Sequence, residues 1–272
     1  VTEAESGEAR LFFKRRGSRT MLNDCYCRSP LRVSRPLATN DGVEARVLLL
    51  TSGGGLLGGD RSRIEVACGV GARVYIGTVG AARLLPSDLE CTQVVTLRLE
   101  SGSSLTYLPE PLIPCAGARY AQHTVVHLAA DSSAVIGEII APGRLGSGER
   151  FAYRQLTLGT RVLRAGRLVL VDRLCFEPGL GHLDTLLGGH THLANLLLLG
   201  PAATRAMATA LYSLISERSG PAGVSEAAEG VLVVRALGGS AHELQGLIRI
   251  IVQCFNRLTD FDRLHSASSR CR

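Results

Sequence analysis

The residues of this chain that could do chemistry fall into small, scattered sets. The segment "GHLDTLLGGHTH" holds His182, Asp184, His190 and His192. On an extended strand His190 and His192 would point to one face, about 6.6 Å apart along the chain, and could share an ion. Exposed loop or edge-strand histidines are the plainer reading of the same pattern. Cys25-x-Cys27 could likewise bind a soft metal, from a segment expected to be mobile. Glu138 stands out because its strand, "SAVIGEIIA", is otherwise apolar, so the carboxylate must face a polar interior, a partner or an ion pair. Asp60 closes a glycine-rich stretch, where a turn cap is its simplest role. Glu149 stands near Arg144 and Arg150, either of which it could pair with.

Several chemistries are excluded by what is missing. There is no G-x-S-x-G elbow and no H-E-x-x-H, and no Ser/His/Asp set can be assembled from spacing alone. Strand-borne Glu138 and Glu149 could serve a glycosidase as an acid/base pair if a pocket held them within about 5–10 Å. The absence of tryptophan and the 4% aromatic content weaken carbohydrate binding. Lys14 is the only lysine among 30 basic residues, so a P-loop or Schiff-base lysine would have to lie in a charged N-terminal segment. The eight cysteines are scattered and none forms C-x-x-C, which leaves a zinc site of the usual spacing unsupported.

The stretch "VLLLTSGGGLLGGDRSRIEV" contains Gly53-x-Gly55-x-x-Gly58, which read literally is a dinucleotide fingerprint. Such a fingerprint must open a helix whose amides hold the pyrophosphate. Here Gly54, Gly55, Gly58 and Gly59 lead instead through Asp60 into another strand pattern. A P-loop fails too, because Asp60 occupies its lysine position. The glycines read as a backbone device for a bend, a positive φ or a close approach.

The elements that must position these residues are mostly strands. From about Val43 to Phe176 short runs rich in Val, Leu, Ile, Thr and Tyr succeed one another, separated by turns such as "GVGA", "ESGS" and "RAGR". No helices alternate with them, which argues against a doubly wound parallel sheet and for a stack, sandwich or solenoid. His190–Gly200 reads as a further strand. Pro201 marks the first turn of a helix carrying Met207, Leu211, Leu214 and Ile215. Glu229–Gly238 is a strand, and Ser240 with Glu243 forms a capping box for a helix ending near Arg257. Its stripe of Leu244, Leu247, Ile248, Ile251, Val252 and Phe255 faces a core. The expected fold is mainly β, a stacked-strand, β-helix-like or sandwich-like single domain over residues 21–258, with two helices in the C-terminal half. Residues 1–20 and 259–272 are expected to be loosely ordered tails. The longest apolar runs are too short to span a membrane and the N-terminal residues lack a signal-peptide pattern, so a cytoplasmic protein is expected. Net charge is +6, but the arginines are dispersed and stacking residues scarce, so no nucleic-acid partner is expected.

"GGLLGGD" at Gly54–Asp60 resembles a signature of the UreD (UreH) family of urease accessory proteins. The likeness continues in order. "GARVYIGTVGAARLLPSD" is similar to the family's strand and Thr-rich turn, with Thr78 in place. "LTYLPEPLIPCAGARY" is similar to its W-x-PQP segment, with Pro109 matched but Tyr107 for tryptophan and Glu110 for glutamine. "IGEIIAPGRLGSGERF" matches its GR-x-x-x-GE segment through Gly143, Arg144, Gly148 and Glu149. The C-terminal helix also resembles the family's. The resemblance implies a non-catalytic, nearly all-β scaffold with no tightly bound cofactor. It implies partners in the accessory proteins F and G, the latter a GTPase, and in apo-urease, and it is compatible with a homodimer of such heteromeric complexes. It further implies nickel(II) in transit, for which Asp60, Glu138, His190 and His192 are the candidate exchangeable ligands. A β-rich interaction module unrelated to nickel is the alternative reading, and a carboxylate-based hydrolase a third.

Overall fold

A computed structural model describes residues 6–37, 42–181, 183–216 and 220–269, with backbone alone at 6, 258 and 260–269. His182, Cys271 and residues 270–272 lie outside the described residues. In chain order the first strands are β1 (Ser6–Arg16), β2 (Arg19–Arg28), β3 (Leu31–Val33), β4 (Ala45–Thr51), β5 (Arg61–Cys68) and β6 (Arg73–Thr78). There follow β7 (Ala82–Leu84), β8 (Cys91–Leu99), β9 (Ser104–Leu108), β10 (Leu112–Pro114), β11 (Arg119–Leu128) and β12 (Ser133–Ile140). The remainder comprises β13 (Gln155–Arg164), β14 (Arg167–Phe176), α1 (Leu183–Leu186), β15 (His192–Leu199) and α2 (Arg205–Ser216). Last come β16 (Ala222–Ala228), β17 (Val231–Gly238) and α3 (Ala241–Ser269).

From β4 onward the chain crosses repeatedly between two sheets. β5, β8, β11 and β13 lie side by side and parallel in one, while β4, β6, β9 and β12 do the same in the other. Parallel neighbours need a crossover, and here the opposite sheet supplies it where an α/β protein would use a helix. The expected stacked-strand fold is what forms. Antiparallel strands finish both edges: β2 and β14 flank the first sheet, and β15, β17 and β16 extend the second.

Alternation explains the burial. Ile64 and Val66 of β5, Val95 and Leu97 of β8, and Val74 and Ile76 of β6 point between the sheets into one core. Each such side chain contributes roughly 1.5–3 kcal/mol on burial. β12 is buried at every position because both of its faces are covered. Ala134 and Ile136 enter the inter-sheet core, while Val135 and Ile139 meet α2 and α3 on the outer face. Leu244, Leu247, Ile248, Ile251 and Phe255 form the predicted stripe of α3 in that second core.

Four expectations need correction. The segment expected to be a loose tail through residue 20 contains β1, an interior strand between β2 and parallel β5. Ala9, Leu11 and Phe13 alternate with Arg10, Phe12 and Lys14, so a charged outer face masks an apolar inner one. Helix α2 starts after Thr204, whose hydroxyl accepts the Met207 N–H at 3.2 Å, and Pro201 lies in the preceding turn. Helix α3 runs on to Ser269 rather than ending near Arg257, since no glycine or proline interrupts residues 257–269. A single-turn helix, α1, joins the two that were expected. The capping box does form: Ser240 Oγ accepts the Glu243 N–H at 3.2 Å, and Glu243 Oε2 accepts that of Gly239 at 2.9 Å.

Candidate functional site

Four separate loop segments meet at one end of the stack. Leu56, in the glycine stretch, forms a parallel bridge with Leu84 of β7. β7 pairs with β10, whose Leu112 pairs with Ile140 of β12. Beneath this short ladder Leu56, Leu84, Leu112, Tyr120, Ile140 and Tyr153 form a third core. The glycines make the approach possible. A Cβ on Gly55, at φ 152°, would sit 2.6 Å from the Arg83 carbonyl. One on Gly58 would be driven into the Ser87 hydroxyl and the Leu89 carbonyl. Gly54 is open to space, and the Gly59 N–H donates to the Glu90 carbonyl at 3.0 Å. These residues shape a crossover between strands, and no helix follows them.

The carboxylates at this end are engaged in holding loops. Asp60 Oδ2 accepts the Leu57 N–H at 2.9 Å, the turn cap its position suggested. Glu149 is gripped by Arg144 through two guanidinium nitrogens, Nε and one Nη, and accepts the Ala116 N–H at 3.0 Å. The Arg144 pair and the Ala116 amide hold its carboxyl down at about 2. Gly143 and Gly148 bracket the tight turn that brings Arg144 back to Glu149. Thr78 Oγ1 accepts the Glu110 N–H at 2.9 Å and donates to the Gly80 carbonyl, fixing the segment that carries Pro109.

The interior is different. Glu138, 7% exposed, points from β12 into the space between the sheets. Gln122 Nε2 of β11 donates to Glu138 Oε1. Gln122 Oε1 in turn accepts from Gln93 Nε2 at 3.2 Å and from the Tyr120 hydroxyl at 3.0 Å, and Ser62 Oγ donates to Gln93 Oε1 at 3.0 Å. Ser62, Gln93 and Gln122 occupy one register row across β5, β8 and β11. On the other side Asn195 of β15 is the register partner of Glu138, and its amide donates to Asp172 Oδ2 at 2.9 Å. Arg235 of β17 closes the file, paired with Asp172 and bonded to Asn195 Oδ1. A polar file thus crosses the core from β5 to the half-exposed Arg235.

Burial pushes the Glu138 carboxyl up to about 7; the Gln122 hydrogen bond opposes the rise and the Asp172 charge adds to it. Burial likewise raises the Tyr107 and Tyr120 phenols. A cavity of about 50 Å³ lies against Gln93, Tyr107, Tyr120, Gln122 and Glu138. Since a water needs roughly 10–15 Å³, this space has room for a few. A groove of about 490 Å³ between α3 and the outer face of β4, β6 and β9 reaches the same Pro109, Glu110 and Glu138. Gln245 of α3 donates to Glu110 Oε2 at 2.7 Å where the two spaces adjoin.

The histidine pair is not assembled as the spacing suggested. β15 begins at His192, and His190 lies in the turn before it, so strand alternation does not align their rings. His192 is buried, its Nδ1 sits 2.8 Å from the Thr191 hydroxyl, and burial lowers its pKa. Among the described residues no three His, Cys, Asp or Glu side chains gather as a metal cage, and no helix is long and apolar enough to cross a membrane. The residues that sequence reasoning missed are Ser62, Gln93, Gln122, Asn195 and Asp172. Asp172 and Asn195 carried the signal that singled out Glu138, a polar side chain in a largely apolar strand, whereas Ser62, Gln93 and Gln122 stand in strands of mixed polarity and carried none.

Comparison with known proteins points to the family that the motifs resemble. The family model described as "UreD urease accessory protein" matches residues 5–267. A urease accessory protein UreD of Sorangium cellulosum (strain So ce56) is 34% identical over 252 residues, covering 90% of this chain and 79% of the relative. One from Lysinibacillus sphaericus (strain C3-41) is 30% identical over 262 residues, covering 93% and 95%. One from Arthrobacter sp. (strain FB24) is 30% identical over 263 residues, covering 91% and 88%.

Proposed function

The chain belongs to the UreD family of urease accessory proteins, and on that premise we propose that it is a scaffold that docks accessory proteins F and G onto apo-urease and conducts nickel through its interior. Its role lies in urease maturation, and it is non-catalytic. The observation that carries the nickel half of this reading is the buried, protonatable Glu138 beside the amide and phenol oxygens of Gln93, Gln122 and Tyr120 and a small cavity. Carboxylate, amide and phenol oxygens bind a borderline cation weakly and release it readily, as transit requires. A carboxyl with a pKa of about 7 can surrender its proton to an arriving cation and recover it on departure. The adjoining groove along α3 offers the entrance, with Glu110 at its inner end. Asp60, already committed to the Leu57 amide, serves as a turn cap in this scheme, and His190 and His192 stand outside it.

The hydrolase alternative draws no support from the geometry. Glu138 is held by Gln122 in the core, and Glu149 is locked by Arg144 in a loop.

The test is complementation of a strain lacking this gene with Glu138→Gln, reading urease activity, urease nickel content and co-purification with accessory protein F and apo-urease. Intact co-purification with activity and nickel reduced at least tenfold is expected. Full activation by Glu138→Gln would remove Glu138 from the route, and failure of the wild-type protein to co-purify would remove the scaffold role.

A further inference from the structure

Cys25 and Cys27 have no part in the scheme above, and they lie outside the polar file, two strands from its end at Ser62, on β2, the outermost strand of the seven-stranded sheet. Two residues apart on a strand, their side chains leave the same face. They stand opposite Leu11 and Ala9 of β1, with Cys25 exposed and Cys27 half-buried. The two Sγ atoms are 3.8 Å apart. Zinc–thiolate bonds of about 2.3 Å, opened to the tetrahedral angle, hold their sulfurs about 3.8 Å apart, so the thiols already span one edge of a zinc tetrahedron.

We propose that Cys25 and Cys27 form a two-thiolate site for a thiophilic divalent cation, zinc, on the outermost described strand of this sheet. The two thiols lie within reach of a shared hydrogen bond. Zinc uptake forms two Zn–S bonds and releases two protons to solvent, and no electrons move. Two tetrahedral positions remain for water.

The experiment uses the full chain, with Zn²⁺ titrated against a chromophoric chelator and Co²⁺ as a spectroscopic probe. One Zn²⁺ per chain is expected, with a Co²⁺ thiolate charge-transfer band. Binding should weaken at least tenfold in Cys25→Ser and in Cys27→Ser, and should be unchanged in Cys175→Ser, another exposed thiol. On unaltered protein, Zn²⁺ should slow alkylation of Cys25 and Cys27 at least tenfold, read by peptide mass spectrometry, which keeps the test independent of how the variants fold. Zinc binding that survives both substitutions, or alkylation of the pair that proceeds equally with and without Zn²⁺, overturns the site.

Discussion

The loop end and the interior of this protein each present a carboxylate from a matched motif, and the two titrate in opposite directions. Glu149 sits in a turn with Arg144 and a backbone amide aimed at it, and its carboxyl is held at about 2. Glu138 sits in the core with a neutral amide for a partner, and its carboxyl is raised to about 7. One charge is fixed, and its job is to hold a loop. The other is negotiable at neutral pH, and that property suits it to exchange a proton for a cation. Presence in a recognisable motif does not distinguish them; surroundings do.

The contrast can be broken most forcefully at the loop end. Gly58→Ala should cost about 3 kcal/mol in urea unfolding, because the added methyl has to displace Ser87 and Leu89. Next is the interior charge itself. Folded Glu138 holds its proton above the unfolded carboxyl value, so stability is greatest below about pH 4.5 and falls as pH rises through about 7. Glu138→Gln should therefore stabilise the protein by up to about 3 kcal/mol at pH 8, with the gain vanishing near pH 4. More stability with less urease activation in the same variant would sharpen the comparison most. Gln122→Leu removes the donor and should cost about 2 kcal/mol at pH 8, and less at pH 5, where the carboxyl is protonated.

Glu149 should behave in reverse. Its contribution is present above the ordinary carboxyl pKa and is lost as pH falls toward about 2. Glu149→Gln should erase that acid dependence, measurable as a flatter thermal-midpoint profile below pH 5. Asp60→Ala is the smallest change, about 1 kcal/mol for one lost turn cap.

Much of the architecture was legible in the sequence, and the omissions have physical causes. β4 through β14 announced themselves by alternation and turn residues, and only the three-residue strands β7 and β10 escaped. β1 and β2 were missed because Arg10, Lys14, Arg15 and Arg16 dominate the composition of a strand whose other face is apolar. Glu138 was visible as a charge in an apolar run. Gln93 and Gln122 were not, since a lone glutamine in a strand can face either way until register is known. Register between parallel strands depends on crossovers through the other sheet, which no local pattern encodes. Asp60 was the opposite case: visible, and placed by its own turn where a cap was the obvious role.

The position of β1 has a consequence for how the molecule is made. The β1–β2 hairpin is synthesised before β5, yet the inner edge of β1 pairs with β5, more than 40 residues later. Until β5 leaves the ribosome, that edge is a bare template for any other extended chain. Each later parallel pairing also waits for an intervening strand in the opposite sheet, so contact order is high and folding is slow. A chaperone or a partner arriving during translation would have that bare edge of β1 to protect.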